Sequence, residues 1–325
     1  MYVLGVESTA HTFGAGIVSS EGKILANQKS VFTTREGGLI PNIVAQHHRE
    51  VAAKIISEAL TKAKLRIEDI GLLAYAHGPG LPPCLRVGME LTKKLASERN
   101  IPIIGVNHCV AHLTIGELMT GAKNPVYLYV SGVNTQVIAA TGRRFRIFGE
   151  TLDIGLGNAL DKFAREAGLG FPGGPRIEEL AKGGRLVELP YSVKGMDVSF
   201  AGIVTKATRL LKAGKASLQD LCFSLQEVCF AMLAEVSERA MAHTGKEELL
   251  LIGGVAANKR LCEMLEIMCK ERGARFYAVP LEYAMDNGAM IAWQGWLQHK
   301  AGERLKPEAA DIRPYERSDE VEITW

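Results

Sequence analysis

Apolar and polar positions change period several times along the chain, and each change predicts an element. The pattern over Tyr2 to Glu7, Gly14 to Ser19 and Lys23 to Phe32 predicts three strands, with Glu21-Gly22 turning the second hairpin. From Pro41 the period becomes helical and runs to about Lys64. A strand over Gly71 to Ala76, a helix over Cys84 to Arg99, a strand over Ile101 to Val106 and another helix follow. After Pro125 the order returns. Strands are predicted at Val126 to Ser131, Thr135 to Ala140 and Arg144 to Thr151, then helices, the apolar strand Leu249 to Ile252, a helix, a strand at Arg275 to Val279 and a final helix.

The chain therefore reads as a duplicated β-β-β-α-β-α-β-α unit of the α/β class, with residues 1–122 as the N-terminal lobe and 123–325 as the C-terminal lobe. Helices inserted between Gly157 and Ala242, punctuated by the Gly/Pro-rich segment Gly168 to Pro175, lengthen the second lobe. Two lobes of one topology predict a cleft where their loops face each other. The architecture resembles that of the actin, sugar-kinase and heat-shock-chaperone ATPase group.

Composition adds exclusions. With 325 residues, 47% of them hydrophobic, the chain is long enough for a large core and about two domains. A net charge of +2 is too mild to mark a nucleic-acid binder, although Arg143-Arg144 with Arg146, Lys93-Lys94 and Lys259-Arg260 form local basic clusters. The six cysteines include Cys222/Cys229 and Cys262/Cys269, seven apart in helical patterns, and there is no Cys-x-x-Cys. They read as reduced core residues. No apolar run approaches the roughly 20 residues of a membrane span, and the first residues lack the basic region of a signal peptide, so the expected location is the cytoplasm.

The sharpest chemical signal is Gly105-Val106-Asn107-His108-Cys109-Val110-Ala111-His112-Leu113. Histidines four apart on a helix project from one face and can share a metal ion, and the strand before them places the pair at a strand's carboxyl end, where open α/β sheets gather ligands. The same spacing also suits a plain histidine pair on an amphipathic helix. Glycine-rich turns at Gly78-Pro79-Gly80, Ser131-Gly132, Gly155/Gly157, Gly173-Gly174 and Gly253-Gly254 let backbone amides approach phosphate, or serve turn geometry only. Gly168-x-Gly170-x-x-Gly173 follows a helix rather than a strand, which excludes a Rossmann dehydrogenase, and a P-loop is absent. After the buried strand Leu249 to Ile252, Gly253-Gly254 and the helix start offer free N–H groups, and Asn258 either reaches adenosine or serves the first helical turn. Asp286 is either a carboxylate ligand or a helix N-cap. Asp161 can pair with Arg165, and Glu178 can complement a helix dipole.

Together these strings resemble the tRNA adenosine threonylcarbamoyltransferases, the TsaD group and catalytic subunit of the archaeal and eukaryotic KEOPS complex. The resemblance covers essentially the whole chain and points to the archaeal branch. It rests on Gly5-Val6-Glu7 with Thr9 to Thr12, His77 to Leu81, Gly105 to Leu113, Tyr129 to Gly132, Gly149 to Ile154, Phe171 to Pro175, Gly253 to Asn258 and Asp286 to Ala292. It implies an actin-like fold, His108 and His112 as catalytic and metal-binding residues, and Tyr129 and Asp286 as further ligands. Nitrogen and hard oxygen donors without thiolate suit one divalent iron or zinc ion, and a phenolate tilts toward iron. Nucleotide contacts are implied for Tyr129, Val130, Ser131, Gly132 and Val133, for Asp161, Gly174 and Glu178 near ribose and base, and for Asn258. The implied donor is threonylcarbamoyl-adenylate, with ATP or AMP at the same site. The acceptor is the adenosine beside the anticodon of tRNAs reading codons that begin with A. The implied partners are tRNA, a small atypical kinase-ATPase and small dimer-forming and bridging subunits, with no membrane. The chain departs from the family at Val133 (usually glycine), Pro82-Pro83 (usually Gly-Pro) and Ser8 (commonly glycine). Rival readings are a metalloprotease, which lacks the general-base glutamate because Cys109 follows His108; a non-catalytic nucleotide-sensing scaffold; and a sugar kinase, in which such a metal set has no place.

Overall fold

The computed structural model describes residues 1–33 and 40–325. The first run of elements is β1 (Tyr2–Glu7), β2 (Thr12–Ser19), β3 (Ile24–Val31), α1 (Pro41–Ala63), β4 (Ile70–Gly78), α2 (Pro82–Arg99), β5 (Ile103–Asn107) and α3 (His108–Thr120). The second run begins with β6 (Val126–Val130), β7 (Thr135–Thr141), β8 (Arg144–Glu150), α4 (Leu156–Glu166), α5 (Gly173–Leu180) and the short pair β9 (Val193–Lys194) and β10 (Asp197–Val198). It ends with α6 (Ala201–Lys212), α7 (Leu218–Thr244), β11 (Glu248–Ile252), α8 (Lys259–Glu271), β12 (Arg275–Ala278), α9 (Leu281–Ala284) and α10 (Gly288–Lys300).

The duplication is visible in the sheets. One has the order β3-β2-β1-β4-β5 and the other, read from its far edge, β8-β7-β6-β11-β12. In both, the first strand pairs antiparallel with the second and parallel with the fourth, and the fourth pairs parallel with the fifth. Strand edges differ from the sequence expectation by two residues or fewer, and α2 starts at Pro82 because proline is well suited to a first helical position, where its missing N–H is no loss.

The compact units are Met1–Leu118 with Arg143–Phe145 and Met285–Trp325, and Met119–Gly142 with Arg146–Ala284. The expected 123–325 lobe thus gives up its last segment to the first unit. The cause is α10, which packs on β1, β2 and β4. Alternation along β1 sends Leu4 and Val6 into the cluster with Ala52, Ile55 and Ala59 of α1, and Gly5 and Glu7 to the opposite face, toward α10. A Cβ at Gly5 or Gly16 would collide with the backbone between Gly288 and Ala292, and one at Gly288 with the backbone of β2. Bare glycine backbone on both sides lets helix and sheet lie flush.

In the second unit β11 lies between two parallel neighbours and is buried along its length, which explains its unbroken apolar run. The 27-residue α7 packs on β6, β7 and β11, and α8 on β11 and β12. Among the described residues no helix is long and apolar enough to cross a membrane.

Candidate metal centre and nucleotide loops

In the first unit β5 passes directly into α3, whose N-cap is Asn107: its Oδ1 accepts from the Val110 N–H at 3.2 Å. His108 and His112 share one helix face, buried, with ring centroids 4.7 Å apart at 85°. Asp286 precedes α10, and of the two roles open to it from sequence, ligand or N-cap, the cap is not its own. Asn287 caps the helix, its Oδ1 accepting from Met290 N at 3.0 Å. Asp286 is thereby left to face the histidines, with Oδ1 3.4 Å from His112 Nε2 and 3.5 Å from His108 Nε2.

A second carboxylate sits behind His108. Glu7 is wholly buried, and its Oε2 lies 2.9 Å from His108 Nδ1. Its Oε1 accepts from the Thr9 backbone N–H at 2.7 Å and from the Thr9 hydroxyl. A carboxylate on Nδ1 fixes the ring and leaves Nε2 for a ligand, the usual outer arrangement of a metal-binding histidine. Sequence alone assigns no role to Glu7 or Thr9, although a lone acid ending an otherwise apolar strand is a signal.

The electrostatics favour a cation. Burial works against a charged His108, but Glu7 and Asp286 outweigh it and hold its pKa up to about 9. At His112 burial wins and the pKa falls despite Asp286. Burial also opposes ionisation of Asp286, yet the two histidines hold it well below the usual carboxylate range. Two imidazoles and a carboxylate offer ligand atoms all within 4.8 Å of one another, so the donor set fits a divalent ion of the iron or zinc type. Cys109, where a His-Glu-x-x-His protease carries its base, is buried, and burial pushes its thiol up to about 12. It is no general base.

The remaining candidates lie in the second unit. Tyr129 and Val130 are buried at the end of β6. The turn after them closes on itself: Ser131 N donates to Asn134 O at 2.7 Å, while Gly157 N and Asn158 N donate to the carbonyls of Ser131 and Gly132, each at 3.0 Å. Val133 is 72% exposed, and among the described residues only Lys64 and Asn100 are non-glycines with positive φ. Valine in place of the family's glycine therefore imposes no left-handed strain. Gly253, by contrast, has φ +92°, and a Cβ there would meet Val130 O.

Asp161, Gly174, Glu178 and Asn258 surround two helix starts. Asp161 Oδ1 accepts from Gly173 N at 2.7 Å, at the head of α5, rather than serving mainly as a partner for Arg165. Glu178 Oε1 accepts from Lys259 N at 2.9 Å, so the helix start it complements is that of α8, not its own. Asn258 caps α8 through Leu261 N at 3.1 Å and donates to Gln226 Oε1 at 2.8 Å. Its side chain thus holds the fold whatever else it touches.

Twin sheets of one strand order define an actin-like α/β protein, and this one carries a His–His–Asp group suited to a divalent cation. A family model described as TsaD, tRNA N6-adenosine threonylcarbamoyltransferase, matches residues 22–293. The chain belongs to that family and is a transferase. It is 53% identical to the tRNA N6-adenosine threonylcarbamoyltransferase of Thermococcus sibiricus over 326 aligned residues, covering 100% of both chains. It is 52% identical to a probable bifunctional tRNA threonylcarbamoyladenosine biosynthesis protein of Thermoplasma acidophilum, covering 100% of this chain and 61% of that one. The crystal structure of HypF from T. kodakarensis aligns with a TM-score of 0.61 at 15% identity, covering 96% of this chain and 49% of that one, a likeness of fold alone.

Proposed function

We propose that this chain transfers the threonylcarbamoyl group from threonylcarbamoyl-adenylate to the exocyclic amine of the adenosine beside the anticodon, in tRNAs reading codons that begin with A. The amine forms a bond to the carbamoyl carbon, that carbon's bond to the adenylate oxygen breaks, a proton leaves the amine and AMP departs. The observation carrying this reading is the convergence of His108, His112 and Asp286, backed by Glu7, in a chain that the family model matches over residues 22–293. These three residues would hold a divalent metal, iron in preference to zinc, with Tyr129 as a further ligand. When bound, the metal supplies a Lewis acid that orients the donor and stabilises charge developing on its oxygens. Glu7 and Thr9 hold His108 in orientation, and burial of both histidines keeps water from competing for their ring nitrogens.

In the second unit we assign nucleotide contacts to Tyr129–Val133, Asp161, Gly174, Glu178 and Asn258. Asp161 and Glu178 already place carboxylates on the N-termini of α5 and α8. A phosphate there meets like charge, whereas ribose hydroxyls and the adenine amine are donors that carboxylates accept. That supports ribose and base near Asp161 and Glu178 and phosphate near the Ser131–Val133 turn. The proposed partners are tRNA and KEOPS subunits, a small atypical kinase-ATPase and a small dimer-forming subunit among them, in the cytoplasm. Bifunctional relatives, of which this chain covers about three-fifths, support a second polypeptide acting in the same synthesis.

The test is nucleoside mass spectrometry of unmodified tRNA incubated with the chain, its partners and threonylcarbamoyl-adenylate, beside His108→Ala and Asp286→Asn. Modified adenosine from the native chain, lost in both variants, is expected. No product from an assembled, metal-loaded complex sinks the assignment.

A further inference from the structure

Beyond α10 the chain crosses back over the strand ends of the first unit. Tyr75 Oη donates to Asp311 O at 3.0 Å, Arg313 N to His77 O at 2.6 Å and Gly80 N to Pro314 O at 3.1 Å. Glu316 then reaches both parallel strands at once. Its Oε2 lies 2.6 Å from His77 Nε2, at the end of β4, and accepts from Asn107 Nδ2, at the end of β5, at 3.1 Å. Asn107 Nδ2 also donates to the Glu316 carbonyl at 3.2 Å, and Arg313 Nη1 lies 2.7 Å from Glu316 Oε1.

The carboxylate is 14% exposed, and a merely adhesive contact could be made by apolar residues without the desolvation cost of an ion there. What an acceptor does at this spot is orient an amide. Asn107 Oδ1 accepts from Val110 N and so caps α3, while its Nδ2 is held by Glu316. Rotating that amide by half a turn would set its NH2 against the Val110 N–H. With Glu316 in place only one orientation satisfies both ends, and the first turn of α3, which starts with His108, is fixed by it.

We propose that Glu316 is a positioning residue for the metal centre: acting through Asn107, it sets the start of α3 and with it the convergence of His108 and His112 on Asp286. This rests on the metal reading of those three residues. Metal sites are sensitive to such outer contacts, whose loss typically costs ten- to a hundredfold, roughly, in affinity.

The test uses the full chain, cobalt(II) as probe, its visible absorption spectrum, and affinity measured against a competing chelator. Glu316→Ala removes the carboxylate acceptor and leaves Asn107 Nδ2 only the main-chain carbonyl of residue 316; Glu316→Gln keeps a side-chain acceptor for Asn107 while losing the charge. A fall in cobalt affinity of about ten- to a hundredfold with an altered spectrum is expected for Glu316→Ala, and recovery of most of both for Glu316→Gln. Native affinity and spectrum in Glu316→Ala would overturn the proposal. Equal losses in the two variants, tracking their thermal unfolding, would also overturn it by reducing Glu316 to a tether. If His108→Ala leaves the native cobalt spectrum unchanged, the metal reading itself fails, whatever the Glu316 variants do.

Discussion

Replacing Glu7 by glutamine changes one atom's chemistry at a site with no slack. Every oxygen of this buried carboxylate is engaged, Oε1 by the Thr9 N–H and hydroxyl and Oε2 by His108 Nδ1. Glutamine keeps one acceptor and turns the other into an NH2. With its carbonyl toward Thr9, the NH2 faces Nδ1, which must become an acceptor, so the ring proton moves to Nε2 and points at Asp286, where a metal needs a lone pair. With the amide reversed, His108 keeps its tautomer but the NH2 meets the buried Thr9 N–H, and an unsatisfied buried donor costs about 1–3 kcal/mol. The first alternative lowers metal affinity by about ten- to a hundredfold. At about 1.4 kcal/mol per decade, that matches the cost of the second. Either way Glu7→Gln loses about 1–3 kcal/mol, and the measurement shows where. Zinc titration of metal-free chain against a chelator reads the affinity, and thermal unfolding of the same preparation reads the fold. Native values in both would refute the coupling of Glu7 to the centre.

Gly16→Ala drives a methyl into the backbone at Ala289, and overpacking of this kind costs about 1–3 kcal/mol or more, so a lowered unfolding temperature with weakened metal binding is expected; native behaviour in both would mean that α10 is not seated as described. Acid sensitivity should be traceable to Glu316: burial opposes its ionisation, but His77, Arg313 and Asn107 hold its pKa down to about 2 from an ordinary 4.5. A depressed carboxylate stabilises the fold fully above its unfolded value and progressively less as pH falls toward the folded one. The stability gap between native chain and Glu316→Gln should therefore narrow from pH 5 to pH 2.5 in unfolding scans, and a constant gap would deny the ion pair. Asn258→Ala removes a helix cap and the bond to Gln226, which lowers stability by about 1–2 kcal/mol in chemical denaturation even without nucleotide.

The fold was legible because it is written in local periods. The central parallel strands of the second unit, β6 and β11, are short, mostly apolar runs, and the recurrence of three strands followed by helix–strand alternation announces the duplication before any contact is known. The boundary was not legible at its far end. That Met285–Trp325 belongs with the first sheet depends on the fit between Gly5 and Gly16 on strands and Gly288 on α10, and a glycine more than 250 residues from its two partners carries no periodic signal.

The site divides along the same line. His108 and His112 announce themselves because four residues of helix do the geometry. Asp286 was ambiguous because an acid before a helix is a cap by local rules, and the ambiguity is resolved by the next residue: Asn287 takes the capping bond, so Asp286 need not. An acid ending β1 and an Asn before α3 are local signals, but the partners of Glu7, Asn107 and Glu316 across the sheet were not legible. Glu7 meets His108 across 101 residues and Glu316 meets His77 across 239, and neither pairing has a local cause in the chain. Both depend on the sheet, whose parallel neighbours β1, β4 and β5 bring Glu7, His77 and Asn107 together at their carboxyl ends. Ligands can thus be read from a helix's own spacing, but the groups that orient them belong to the strand order. That is why a motif match names the metal-binding pair while the residues that aim it emerge only from the folded sheet.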